Sequence, residues 1–307
     1  MSALTNIQYL TREQIDKKKW DHCIAAAADG LIYAYSFYLD HMAKHWDALV
    51  LNDYEAVMPL TWNRKYGIRY LYQPFLTAQL GVFGKGNTGE HTASFIRAIP
   101  SLFRFIDISL NSKNLFTGFR DSLIKRSNYV LDLDKPYEAL YKNYRENIQR
   151  NIKKALQQGC SVQKDFSVEQ VIGLAVEQMK SQGNEEKYHI KQFRKLYAYL
   201  HPLQMATTYG VFSDRQELLA SCVFFFSHNR AYYILVGNHP GSKTTGASPA
   251  LIDAFIKEQA GKKLLLDFEG SDISSLALFY SSFGAVREEY PALKINRLPF
   301  YLRWMKK

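Results

Sequence analysis

The chain has 307 residues, of which 47% are hydrophobic and 22% charged, with 21 Tyr and 19 Phe. This excludes a disordered or low-complexity chain, and the length is long for one domain but comfortable for two. The net charge of +10 and pI near 9.3 point to anionic partners such as RNA, phosphorylated cofactors or an anionic surface, although solubility alone accounts for the balance equally well.

The N-terminal stretch MSALTNIQYLTREQ has no apolar core of signal-peptide length, and the longest apolar runs, such as Cys222 to Phe226, are too short to cross a bilayer. A cytoplasmic protein without an integral membrane segment is expected. Cys23, Cys160 and Cys222 are odd in number, far apart and without a CxxC spacing, so they read as buried free thiols, neither a disulfide framework nor a zinc site. The His41/His45 pair has helical spacing but no third ligand, and no metal is expected.

In chain order, residues 11–28 read as a first helix with Thr11 as cap, and residues 36–45 as a second. Residues 46–51 and 56–62 form a hairpin turning at Asn52-Asp53, and residues 69–72 a further strand. The loop GVFGKGNTG follows, then a helix over 90–103, a strand over 105–110, a turn at Gly118-Phe119 and a strand over 128–133. Asp134-Lys135-Pro136 opens a long amphipathic helix running to Gln158 and closed by Gly159, with Leu140, Tyr144, Ile148, Ile152 and Ala155 on one side and basic residues around the remainder. This helix is expected to join two halves, 1–135 and 136–307.

The second half opens with a short strand over 160–164 and helices over 168–182 and 190–200. An antiparallel meander follows, with strands over 204–212, 218–226 and 231–237. The loop NHPGSKTTGAS leads into a helix over 249–260, then a strand at Leu264-Leu265-Leu266, a Gly/Ser turn, a short helix carrying Tyr280, and Gly284. Residues 293–304 read as one or two strands. Element order in the two halves is alike, the mark of a tandem duplication.

Four stretches are candidates for chemistry. In the loop, Gly241 and Gly246 let a ligand approach the backbone, while Ser248-Pro249 is a strong helix start. Free N–H groups and the helix dipole favour an anion there, by about 0.3–1 kcal/mol per interaction when exposed. Lys243, Thr244, Thr245 and Ala247 complete this cofactor-binding set. Ala247 stands where a Walker A motif needs Lys, which excludes that motif. A capped surface loop reads equally well. Tyr280 can protonate a leaving group or serve as a core aromatic. Asp267, Glu269 and Asp272 sit at a strand end, where a carboxylate can take a proton from an attacking amine or merely cap and solvate. The basic helix with Tyr141 and Tyr144 nearby suits RNA or a solvated face.

The segment LALFYSSFGA resembles the A-x-x-x-Y-x-x-x-G segment near the end of GNAT-superfamily N-acyltransferases. The basic segment from Arg145 to Gly159, together with LLDFEGSD…LALFYSSFG, resembles the Fem peptidoglycan-bridge family, which pairs two GNAT-like domains. Tyr280 stands near where the Fem pattern carries Phe-Lys. These resemblances imply an α+β fold of two tandem GNAT-like domains, each a mixed, mainly antiparallel sheet flanked by helices. They imply acyl transfer from acyl-CoA, with acetyl-CoA as co-substrate, to an amine acceptor. The GNAT loop cradles the cofactor's pyrophosphate, a role that falls on residues 241–248. The Fem alternative is an aminoacyl-tRNA donor, with tRNA as a partner, and a non-catalytic binding module is the third reading. In the GNAT pattern Tyr280 is the general acid. Glu269 is the candidate base, and Asp267 and Tyr233 the candidate substrate-binding residues.

Overall fold

The apolar runs and their turn signals build two units, each with its own core. The computed structural model describes residues 6–85, 89–114, 123–181, 187–270 and 272–299. The chain divides into two units, Met1–Arg126 with Glu289–Lys307, and Ser127–Glu288.

The first unit contains β1 (Ile7–Leu10), α1 (Lys17–Ala26), α2 (Ser36–Met42), β2 (His45–Leu51), β3 (Ala56–Lys65), β4 (Ile68–Tyr72), β5 (Phe83–Gly84), α3 (Gly89–Ala98) and β6 (Phe103–Ser109). Asp16 caps α1 by accepting from the Lys18 and Lys19 amides, so the helix starts later than Thr11. A short 3₁₀ turn, Arg12–Gln14, takes up the first residues, with Thr11 and Gln14 making a capping box. Strands β1 to β4 pair antiparallel in sequence, and β4 pairs parallel with β6. Phe95 and Ile96 of α3, with Ile99 just after it, pack with Leu60, Leu71 and Ile106 in a buried cluster.

Strand β7 (Leu123–Asp132) crosses into the second unit. That unit continues with α4 (Tyr137–Lys142), α5 (Glu146–Gln157), β8 (Ser161–Lys164), α6 (Val168–Ser181), α7 (Lys187–Leu200), β9 (Ala206–Phe212), β10 (Leu218–Ser227), β11 (Arg230–Asn238), α8 (Ser242–Thr245), α9 (Ala247–Gln259), β12 (Leu265–Asp267) and α10 (Ser274–Ser281). Strands β8 to β11 pair antiparallel in sequence, and β11 pairs parallel with β12. The same pattern of three meander strands, a helix and a parallel strand therefore occurs in both units. The core under α9 is aromatic, with Phe255 stacked on Phe224 at 3.7 Å between ring centroids.

Each unit also contains a strand whose pairing partner is distant in sequence. β7 lies antiparallel to β12, and β13 (Val286–Asn296) lies antiparallel to β6. The C-terminal strand thus returns to the first unit, whereas the sequence reading kept everything after 135 in the second half.

The helix expected over 134–158 is two helices. Between α4 and α5 the Arg145 amide donates to the Ser282 carbonyl at 2.9 Å. Tyr144 is buried edge-on against Phe283 at 5.2 Å. Helical periodicity continues through this break, but contacts with the end of α10 override it. The turn expected at Gly118-Phe119, the break over 183–186, and residues 300–304 lie outside the described residues. Cys23 and Cys222 are buried free thiols, and Cys160 is half-buried and free. Among the described residues no helix is long and apolar enough to cross a membrane, and no group of three His, Cys, Asp or Glu is placed to hold a metal.

Candidate functional site

The second unit holds a cleft of about 810 Å³, and its origin is a parting of two strands. β11 and β12 pair over only three residues, Arg230 to Tyr232 against Leu265 to Asp267. Beyond them the chain turns to β7, and the Phe268 amide donates to the Tyr129 carbonyl at 3.0 Å. From Tyr233 onward that edge of β11 has no strand partner among the described residues. The other edge slips register against β10 between Ser221 and Val223. The slip coincides with Leu235 in the left-handed region, φ 48°, which is strained for a residue with a Cβ. On one face α6 seals the strand. A Cβ on Gly237 would lie 2.7 Å from the Ala175 amide nitrogen, so only glycine allows that approach.

Tyr280 and Tyr233 both line this cleft. Tyr280 projects from α10, is 8% exposed, and stacks on Phe268 at 4.6 Å. Tyr233 meets it edge-on at 6.4 Å. Burial pushes the Tyr280 phenol well above its ordinary range, and the nearby Glu269 carboxylate adds to the shift. The phenol is therefore fully protonated at neutral pH and acts as a hydrogen-bond donor.

The carboxylates are arranged otherwise. Asp267 is 2% exposed and bound to Arg230, with Nη1 to Oδ2 at 2.5 Å. Its Oδ1 accepts the Glu269 amide at 2.8 Å. Both oxygens are engaged inside the fold and Asp267 does not line the cleft, so the substrate-binding role expected for it has no free acceptor to use. Burial opposes the Arg230 charge, but Asp267 first, then Tyr232 and Glu288, hold its pKa above the ordinary range. Glu269 is half-buried, has φ 69°, and acts on Tyr280 through its charge without lining the cleft.

The glycine loop is more ordered than the sequence implies. Residues Ser242–Thr245 form one helical turn, α8. The Gly241 amide donates to His239 Nδ1 at 3.1 Å. The amides of Ser242, Thr244, Thr245 and Gly246 donate within the turn, to His239, Gly241, Gly241 and Ser242. The Thr244 and Thr245 hydroxyls also turn back to the Gly241 carbonyl. Five of the amides expected to cradle a pyrophosphate, those of Gly241, Ser242, Thr244, Thr245 and Gly246, are thus spent on the turn itself. Gly241, at φ −71°, needs no glycine for its backbone conformation, although a Cβ there would lie 3.2 Å from His239 Nδ1. The Lys243 side chain lies outside the described residues. Ala247 is buried, and Ser248 Oγ donates to Asn238 Oδ1 at 2.6 Å. Gly246 does need to be glycine. It has φ 76°, and a Cβ there would lie 2.2 Å from the Asn151 carbonyl of α5. Gly246→Ala is expected to lower stability by about 2 kcal/mol or more, from left-handed strain plus the clash, read as a shifted denaturation midpoint.

Sequence reading missed the opposite wall, which comes from α6 and α5. Glu177, Gln178 and Ser181 line the cleft, with Asn151 beside Gly246 and Asn238 at the end of β11. The Asn238 amide donates to Gln178 Oε1 at 2.7 Å. On an amphipathic helix these residues look like ordinary solvent-facing positions, and only the fold brings α6 over the open edge of β11.

No protein-family model matches the chain, and no curated protein matches it in sequence. Solved structures do match. FemX is 11% identical with a TM-score of 0.69, over 98% of this chain and 100% of that one. A conserved protein of unknown function from Bacteroides thetaiotaomicron is 11% identical with a TM-score of 0.56, over 94% and 99%. The C-terminal domain of a putative lysylphosphatidylglycerol synthetase from Agrobacterium fabrum is 9% identical with a TM-score of 0.58, over 91% of both chains. These likenesses span both units, and the chain has the GNAT/Fem-like acyltransferase fold in its tandem, α+β form.

Proposed function

We propose that the second unit transfers an aminoacyl group from an ester donor, an aminoacyl-tRNA, to an amine acceptor. The observation that carries this is a buried, protonated Tyr280 at the place where β11 and β12 part. The amine nitrogen attacks the ester carbonyl carbon, forming a C–N bond. The C–O bond to the tRNA ribose then breaks. Tyr280 gives its proton to the ribose oxygen and is restored by the proton the amine sheds. The open edge of β11 supplies backbone groups for the carbonyl oxygen as it becomes an oxyanion. Glu269 biases Tyr280 toward its protonated form.

Two observations favour the ester over a CoA thioester. The α8 turn consumes five of the amides in the loop that would hold CoA phosphates. A ribose alkoxide is also a far stronger base than a thiolate, so it gains more from a proton donor held above the ordinary phenol range. One of the similar solved domains carries a name that itself specifies an aminoacyl product.

The surface of α5 supports an RNA partner. Arg145, Arg150, Lys153 and Lys154 are exposed, and none makes an ion pair among the described residues. Asn151 places this helix at the cleft. Neutralising Arg150, Lys153 and Lys154 to Gln is expected to weaken tRNA binding and flatten its dependence on log salt by roughly 0.7–0.9 for each phosphate no longer neutralised. Filter binding across salt concentrations measures it. The function itself is tested by offering charged tRNA and acetyl-CoA to the protein with peptide amines. Transfer from acetyl-CoA alone would replace this reading with an acetyltransferase, and no transfer from either with intact tRNA binding would leave a binding module.

A further inference from the structure

The cleft wall on α6 carries a charge that the transfer step does not use. Among the described residues lining the cleft, Glu177 is the single formally charged side chain. It is exposed and makes no ion pair among the described residues, not even with Lys180 one turn on. The polar wall also carries Gln178, Asn151, Asn238, Ser248 and His239, the last with its Nδ1 accepting the Gly241 amide.

Gln178 is oriented by its neighbour. Its Oε1 accepts the Asn238 backbone N–H at 2.7 Å and faces the Asn238 side-chain amide at 3.4 Å. A backbone N–H requires an acceptor, so the oxygen is fixed toward Asn238 and the Nε2 hydrogens are left as donors. Glu177 and Gln178 both line the cleft, so its wall offers a carboxylate and an amide donor, groups that match an ammonium and a carbonyl.

Two amines enter an aminoacyl transfer, and chemistry decides which one suits a carboxylate. The acceptor amine must lose its proton to attack. Pairing it with Glu177 would favour its protonated form and suppress the reaction. The donor's amine takes no part in bond making, and holding it as an ammonium costs nothing in reactivity. We propose that Glu177, with Gln178, recognises the free ammonium of the donor's aminoacyl group and so selects aminoacyl over simple acyl donors. This rests on the aminoacyl-transfer reading above. Glu177 is then a specificity-determining residue on α6, an element separate from Tyr280's helix.

The test uses stable 3′-amide analogues of aminoacyl-adenosine, titrated calorimetrically into the full chain. The three ligands are glycyl, N-acetylglycyl and N-acetyl-lysyl. The wild type is expected to prefer the glycyl over the N-acetylglycyl form by about tenfold, the size of one charge-assisted hydrogen bond. Glu177→Gln should erase the preference while leaving N-acetylglycyl binding unchanged, and Glu177→Asp should keep part of it. If the side-chain ammonium is the one read, N-acetyl-lysyl will bind more tightly than N-acetylglycyl, and Glu177→Gln will erase that difference instead. A preference that survives Glu177→Gln overturns the proposal, as does a wild type that binds neither ammonium form better than the capped one. Transfer from charged tRNA with unaltered donor discrimination in Glu177→Gln overturns this proposal alone. Absence of transfer from any aminoacyl donor overturns the function.

Discussion

Tyr280→Phe is expected to lower the turnover of aminoacyl transfer by about 10²-fold or more, with KM little changed, the usual size of a lost general acid. The substitution keeps the ring that stacks on Phe268 at 4.6 Å and meets Tyr233 at 6.4 Å, so the fold and the cleft wall stay as they are. What goes is one proton donor. The loss should therefore depend on the leaving group. With a natural ribose ester it is full, whereas with an activated aryl ester, whose leaving oxygen needs little protonation, it shrinks toward unity. The pH profile gives a second reading. Burial and then Glu269 push the Tyr280 phenol above its ordinary range. A raised value means the protonated form persists, so activity governed by Tyr280 is retained through neutral pH. It falls only at pH above the range of an exposed phenol. Equal losses across all leaving groups would assign Tyr280 to the core of the fold and not to the reaction.

Much of this arrangement was legible in the chain. The meander, helix α9 and the stop at Gly284 follow from alternation, a Pro near the helix start and a glycine at φ 83°, all local effects. The loop after β11 was legible as a break in regular structure but not as a helical turn, because α8 depends on His239 accepting the Gly241 amide. Helices α4 and α5 share one periodicity, and contacts with the end of α10, the bond from Arg145 to Ser282 and the packing of Tyr144 on Phe283, separate them. The placement of β7 and β13 was illegible for a deeper reason. A strand's alternation states which face is buried and says nothing of which strand it will pair with. For the site, Tyr280 and Tyr233 were legible as aromatics in the right elements. Glu177 and Gln178 were not, since a polar residue on an amphipathic helix reads as solvent-facing until another element is laid across it.

Asp267 is where reading and structure diverge most, and its substitution separates a substrate role from a structural one. At a strand end its carboxylate invites a role with the acceptor. In the fold it is 2% exposed, with Oδ2 on Arg230 at 2.5 Å and Oδ1 on the Glu269 amide at 2.8 Å. Asp267→Asn leaves the Arg230 guanidinium, whose side chain is 14% exposed, with only Glu288 at 3.6 Å as an anionic partner among the described residues. Removing one member of a buried pair costs about 3–5 kcal/mol, because the remaining charge stays desolvated without its counterion. A loss of that size is expected in the denaturant midpoint of Asp267→Asn. The double substitution Arg230→Met with Asp267→Leu should recover most of it, since removing both charges also removes both desolvation penalties. The β11–β12 pairing, beyond which the two strands part at the cleft, includes these two residues, so the single variant is also expected to loosen the site from which Tyr280 acts. A substrate-binding Asp267 predicts the reverse pattern, with an unchanged midpoint, a raised KM for the amine and no rescue by the double variant.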